Sequence, residues 1–153
     1  MYSHCFELEV AASPEEVWEY HKSASALQEL TARNVRVKLI GSDVPVEDNA
    51  LHKFRMWMFG VIPVVWEARI SQVTPPYGFT DEAERSPFRI WRHRHDFIPS
   101  GTGTLIRDRL GLVLPYGKLG KALYQGFIKK QIESSFAHRH KVYRARFGIK
   151  SNQ

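Results

Sequence analysis

The side chains most able to do chemistry lie in one short stretch, Trp91-x-His93-x-His95-x-Phe97, with Asp108 following beyond Pro99-Ser100-Gly101-Thr102-Gly103. Side chains of a strand alternate between its two faces. Trp91, His93, His95 and Phe97 therefore share one face, and Arg92, Arg94 and Asp96 the other. Past the turn, Thr104, Ile106, Asp108, Leu110 and Leu112 also share a face. An antiparallel hairpin closed at that turn sets Asp108 beside His93 or His95. Two imidazoles and a carboxylate then sit among Trp, Phe, Ile and Leu. Polar groups on an apolar face are costly unless paired, so this cluster pairs internally, meets a ligand or holds a metal.

The elements that position these residues follow from pattern. Tyr2 to Val10 alternates as a strand with Tyr2, His4, Phe6, Leu8 and Val10 on one face. Ser13, Pro14 and Glu16 form a capping box with Pro at the first helical position. A short helix is expected over Pro14–His21, and a second starts at Ser23 or Ser25 and runs through Leu27 and Leu30. Val35, Val37 and Leu39 alternate in a second strand, and a polar loop runs to Asn49. Further strands are expected near Leu51–Phe59, Val61–Val73, Phe79–Glu84, Phe88–Ile98 and Thr102–Leu114, separated by breaks at Gly60, Pro75-Pro76-Tyr77-Gly78, Ser86-Pro87 and Pro99–Gly103. Short breaks favour antiparallel hairpins. From Lys118 to about Phe147 the chain lacks proline, and Leu119, Leu123, Tyr124, Phe127, Ile128, Ile132, Phe136 and Tyr143 recur at helical spacing. That predicts one amphipathic helix of about 45 Å. The fold class is α+β: a seven-stranded curved antiparallel sheet around a long C-terminal helix, with two short helices after strand one. A curved sheet around a helix leaves space that suits a ligand.

The 153 residues suit a single domain over residues 1–153, and 43% hydrophobic with 25% charged residues is ordinary for a soluble globule. Cys5 is the only cysteine, which excludes an internal disulfide and a multi-cysteine zinc site. Met1-Tyr2-Ser3-His4-Cys5 lacks the pattern of a signal peptide. A cytoplasmic location is expected. The net charge of +6 is uneven: residues 1–84 carry 7 Lys/Arg and 13 Asp/Glu, and residues 85–153 carry 15 and 3. Much of the excess lies between Lys118 and Lys150, on the expected helix. A basic helix can meet an anionic membrane surface or an acidic partner, or can be only a solvated face. Nucleic acid is disfavoured, because no reader motif accompanies Lys129, Lys130, His138, Arg139, His140, Lys141, Arg144 and Arg146. Gly-x-Ser-x-Gly and phosphate-loop motifs are absent from the sequence.

Several pieces together resemble a known group. Ala12-Ser13-Pro14-Glu15-Glu16-Val17-Trp18, Phe79-x-Asp81, Pro87-Phe88-x-x-Trp91-x-His93-x-His95-x-Phe97, Thr104-x-x-x-Asp108 and Pro115-x-Gly117-x-Leu119-Gly120 resemble the START-like, Bet v 1-like superfamily, also called SRPBCC. The likeness is to its bacterial members related to polyketide cyclase/dehydrase and lipid-transport domains, and to the SRPBCC segment labelled a cell-division inhibitor. It spans nearly the whole chain. Ser86 departs from the pattern, which has Gly before Pro-Phe. The resemblance implies a helix-grip fold with a hydrophobic cavity for lipids, sterols or polyketides, and neither cofactor nor metal. It does not fix a function, since the fold hosts binders and enzymes.

Parity and the resemblance nominate Phe54, Met56, Trp66, Phe79, Trp91, His93, His95, Phe97, Asp108, Leu110, Phe127 and Gln131 as ligand-binding residues. His93, His95 and Asp108 are also the catalytic candidates. Three readings stand for these three: a self-satisfied buried pair that pins strand register, a polar anchor or acid-base pair for a mostly apolar ligand, and a metal site of facial-triad type. Binding of a small hydrophobic molecule is the leading function. Its rivals are a cyclase or dehydratase using the His-Asp pair and a regulatory protein acting through its basic helix. The sequence sets no oligomeric state.

Overall fold

The computed structural model describes residues 1–32, 35–58 and 60–149. The chain runs through β1 (Tyr2–Val10), α1 (Pro14–His21), α2 (Ala26–Leu30), β2 (Arg36–Leu39), β3 (Leu51–Met58), β4 (Ile62–Thr74), β5 (Gly78–Arg85), β6 (Ile90–Ser100) and β7 (Gly103–Val113), then α3 (Gly117–Leu123), a π-helical turn (Tyr124–Ile128) and α4 (Lys129–Phe147). The seven strands form one antiparallel sheet in the order β1-β7-β6-β5-β4-β3-β2. Only the β1–β7 pairing joins strands distant in sequence. The sheet curves around the C-terminal helical segment, so the helix-grip α+β architecture expected from the sequence is the one observed.

Local chemistry accounts for the element ends. Ser13 caps α1 as a full capping box: its Oγ accepts from Glu16 N at 3.3 Å, and its own N–H donates to Glu16 Oε2 at 2.8 Å. α2 begins after Ser25, whose N–H donates to Asp43 Oδ1 at 3.0 Å. β6 starts two residues later than expected. Phe88 and Arg89 lie in a bend, where the Ser86 hydroxyl accepts from Phe88 N at 3.2 Å. The β6–β7 turn is tighter than Pro99–Gly103, because Ser100 already pairs with Gly103 and the corner is Gly101-Thr102, with Gly101 at φ +57. The expected strand end at Phe59 lies outside the described residues.

The C-terminal segment departs from one continuous α-helix. A π-turn adds a residue at Tyr124–Ile128 and shifts the helix phase. Residues four apart in the row Tyr124, Ile128, Ile132 and Phe136 are buried against the sheet, and Tyr143 continues that face. The neighbouring row is not: Leu119, Leu123 and Phe127 are 70%, 43% and 40% exposed. The apolar stripe in the sequence mixed these two rows.

The core has two halves. Val10, Val17, Leu30, Ile70, Phe79, Phe97, Ile106 and Tyr143 pack near α1 and the end of α4. Leu110, Leu112, Tyr124, Ile128, Ile132 and Phe136 pack at the other end. On β6 and β7 the boundary between them falls at His93, His95 and Asp108, so the polar cluster divides the core.

Candidate functional site

Three adjacent strands converge on the cluster. β6 presents His93 and His95, 4% and 6% exposed, and β7 sets Asp108, 1% exposed, directly opposite His95. On the other side, β5 sets Asp81 opposite His93. Gly78 fixes this last approach. Its φ is +142, and a Cβ there would lie 2.0 Å from the His95 carbonyl oxygen, so only glycine lets β5 come this close to β6. From α4, Arg139 reaches in from the buried helix face.

The geometry is interlocked. His93 Nε2 donates to Asp108 Oδ1 at 2.8 Å, and His95 Nε2 donates to Asp81 Oδ2 at 2.8 Å. His95 Nδ1 lies 3.2 Å from Asp108 Oδ1, His93 Nδ1 lies 3.6 Å from Asp81 Oδ2, and Arg139 Nη1 lies 3.7 Å from Asp108 Oδ1. The two imidazole centroids are 3.8 Å apart, and Phe79 stacks on His95 at 4.3 Å. Burial alone would raise the Asp108 carboxyl, but the His93 and His95 contacts and the Arg139 charge hold it well below the usual carboxylate range. Burial is likewise outweighed at Asp81, where the His95 hydrogen bond and the charges of both histidines keep the carboxyl low. The histidines split. Burial and the charge of His95 push His93 down, whereas the Asp108 and Asp81 carboxylates lift His95 against burial. These directions, with the need for charge balance in a buried cluster, favour both aspartates ionised, His93 neutral and His95 the imidazole that carries a proton beside cationic Arg139. That set is electrically balanced, as a buried charge cluster requires.

Next to the cluster lies His21, the last residue of α1. Its Nδ1–H donates to the Val17 carbonyl at 2.7 Å, which leaves Nε2 to accept from the Tyr143 hydroxyl at 2.7 Å. Burial holds its imidazole down to about 3 and pushes the Tyr143 phenol up.

A cavity of about 660 Å³ opens beside this cluster, between the helix and strands β3 to β6. Among the nominated residues, Phe54, Met56, Trp66, Phe79, Trp91, His93, His95, Phe127 and Gln131 line it. Phe97, Asp108 and Leu110 do not. Phe97 is fully buried against His21, 4.8 Å between ring centroids, and Leu110 is 1% exposed in the half of the core under the π-turn. For Asp108 and Leu110 the reason is their strand: α4 packs against β1 at that edge of the sheet, and no residue of β1 or β7 lines the cavity. The space is left under the other strands. Asp81, His21, His52 and Arg139 line the cavity without having been nominated. Parity could have found Asp81, two residues from inward-facing Phe79. Arg139, one cation of the basic helix in the sequence, follows Ile132 and Phe136 by seven and three positions, the spacing of the buried face. His21 carried no signal beyond its place four residues after Val17.

The fold relates the chain to proteins of known structure. The protein TTHA0849 from Thermus thermophilus superposes with a TM-score of 0.68 at 18% identity, over 95% of this chain and 99% of that one. Ara h 8.0201 gives 0.62 at 8% identity, over 94% and 98%. The di-domain ARO/CYC StfQ from the steffimycin biosynthetic pathway gives 0.64 at 12% identity, over 94% of this chain and 51% of that one. The molecule therefore has the START-like, Bet v 1-like fold. By sequence, residues 8–147 match the model of a domain of unknown function, DUF8410, and the chain belongs to that family. Comparison with curated protein sequences gives no significant match. No described helix is long and apolar enough to cross a membrane.

Proposed function

We propose that this protein binds one small hydrophobic molecule between its sheet and C-terminal helix. The carrying observation is the cavity itself: about 660 Å³, walled by Phe54, Met56, Trp66 and Trp91, with the Asp81, His93, His95 and Arg139 cluster as a charged part of its lining. That volume falls within the range of about 300–1,000 Å³ usual for small-molecule sites, and apolar walls with a few convergent polar groups are their usual lining. The apolar walls would take the body of a lipid, polyketide or similar molecule, and the charged cluster would orient a carbonyl or hydroxyl. Native mass spectrometry of the purified protein tests this. A co-purifying small molecule at one per chain supports the reading, and its loss from a Trp91→Ala variant that stays folded ties it to the cavity.

One observation favours a second reading, acid-base catalysis on the same ligand. His93 lines the cavity, is backed by Asp108 through Nε2, and has its pKa lowered by burial and the charge of His95. An imidazole so held suits proton abstraction in an enolisation or dehydration. The exposed row Leu119, Leu123 and Phe127 lies beside Lys118 and Lys121 and reaches the cavity at Phe127. It would suit exchange of cargo at an anionic membrane surface. The lone, exposed Cys5 suits a reducing compartment and the cytoplasm as its setting.

A further inference from the structure

We propose that Asp81, His93 and His95 form a mononuclear site for a divalent first-row transition metal such as Zn²⁺, Fe²⁺ or Co²⁺, with Asp108 as the carboxylate that orients both imidazoles. The site stands on its own geometry, whether or not the cavity takes a hydrophobic ligand. One donor atom from each of the three residues lies within 4.8 Å of the others. His95 Nε2 is 2.8 Å and His93 Nδ1 is 3.6 Å from Asp81 Oδ2. Nitrogen and oxygen donors bound at about 2.0–2.2 Å to one ion stand about 3.0–3.6 Å from one another, so the two separations from Asp81 are already close to that range and the imidazole pair, within 4.8 Å, has the furthest to close.

The opposite edges of the two rings carry the stronger argument. His93 Nε2 is 2.8 Å and His95 Nδ1 is 3.2 Å from the same Asp108 oxygen. A metal-bound imidazole almost always donates its other N–H to a carboxylate or carbonyl, which fixes tautomer and ring orientation. Here one fully buried carboxylate faces the remaining nitrogen of both rings, and the nitrogens turned toward Asp81 are the ones left for the ion. Of these two Asp108 contacts the His93 one is a hydrogen bond, whereas His95 Nδ1 lies within reach of the carboxylate without bonding it, so seating an ion at Nε2 must also turn the His95 ring onto Asp108.

Two imidazoles and one carboxylate select a transition metal over Mg²⁺ or Ca²⁺, which prefer all-oxygen sites. Asp81, His93 and His95 all line the cavity, so the remaining coordination positions open onto it. With a divalent ion bound between neutral imidazoles, the two aspartates and Arg139 leave one positive charge over. An anionic oxygen on the cavity side balances it: hydroxide, or the carboxylate, enolate or phenolate of a bound molecule.

Tag-free protein, stripped with a chelator and titrated with Co²⁺, provides the test. The expected result is visible absorption saturating at one equivalent per chain. Asp81→Asn and His93→Gln should each abolish that signal, and Asp108→Asn should weaken affinity by about ten- to a hundred-fold at unchanged stoichiometry. Circular dichroism establishes that each variant is folded, and the two ligand variants serve as alternates should one fail to fold. Absence of uptake by the wild type at millimolar Co²⁺ overturns the proposal. So does uptake unchanged in a folded Asp81→Asn or His93→Gln variant, which places the ion elsewhere on the chain. Hydrophobic-probe binding by the metal-free protein is a separate readout, so loss of the metal reading leaves the cavity reading intact.

Discussion

Asp108 is the residue on which the buried cluster turns, and its replacement gives the most quantitative expectation. It is 1% exposed, with His93 Nε2, His95 Nδ1 and Arg139 Nη1 at 2.8, 3.2 and 3.7 Å. Asp108→Asn keeps the shape and removes the charge, leaving His95 and Arg139 as buried cations with Asp81 alone to balance them. Breaking a buried pair by removing one partner costs roughly 3–5 kcal/mol. His95 relieves part of that by losing its proton, so Asn should cost about 2–3 kcal/mol and Asp108→Ala, which also opens a void, about 3–5 kcal/mol. Urea unfolding near neutral pH in the presence of chelator, followed by tryptophan fluorescence and far-ultraviolet circular dichroism, measures this. With a slope of about 2 kcal/mol per molar urea, the midpoint of the Asn variant should fall by roughly 1–1.5 M with the slope unchanged. An Asn variant within about 0.5 kcal/mol of wild type, the size of an ordinary surface substitution, would refute the charge balance assigned to the cluster.

Two further expectations concern His21 and Gly78. His21 is surrounded by Tyr143 and Arg139 of α4, His95 and Phe97 of β6, Asp108 of β7 and its own helix neighbour Tyr20, and burial lowers its folded pKa from 6.5 to about 3. The unfolded chain therefore takes up a proton that the folded protein refuses. The stability contribution is complete above about pH 6.5 and shrinks as pH falls toward 3, by ~2 kcal/mol at about pH 5. His21→Gln should flatten the stability profile between those limits, and a slope equal to wild type counts against this assignment. At Gly78, Ala would need a backbone angle of +142 and a Cβ 2.0 Å from the His95 carbonyl oxygen. Gly78→Ala should cost well over 1 kcal/mol (on the order of 3 kcal/mol) in thermal or urea unfolding, and a neutral effect would mean that β5 does not need this close approach.

What the sequence made legible follows from period. Alternation placed His93, His95 and Asp108 on inward faces, and the short turn put Asp108 beside His93 or His95; the tighter corner sets it opposite His95. Both depend only on local pattern and a hairpin. The second carboxylate, Asp81, meets the histidines through the cross-strand register between β5 and β6, and the bend over Ser86–Arg89 between those strands hides that register in the sequence. Arg139 looked like one more cation of a basic helix. Its burial depends on which way the helix faces after the π-turn, a phase shift with no compositional mark. The cavity walls were half legible for a related reason. Parity names inward residues on every strand, but where α1 and α4 pack on the sheet decides which of them meet atoms and which meet space. Phe97 and Leu110 met atoms, and Phe54, Met56 and Trp66 met space.

The central claim, a ligand cavity between helix and sheet, is tested most directly by filling it. Ser135 lines the cavity from α4, and Ser135→Trp would project an indole into the space. Titration with the neutral fluorescent dye N-phenylnaphthylamine should saturate at one dye per chain in the wild type. In a Ser135→Trp variant of unchanged circular dichroism, affinity should drop at least about tenfold, a loss of ~1.4 kcal/mol. Equal dye affinity in the two folded proteins, or absence of saturable binding by the wild type, would contradict the account.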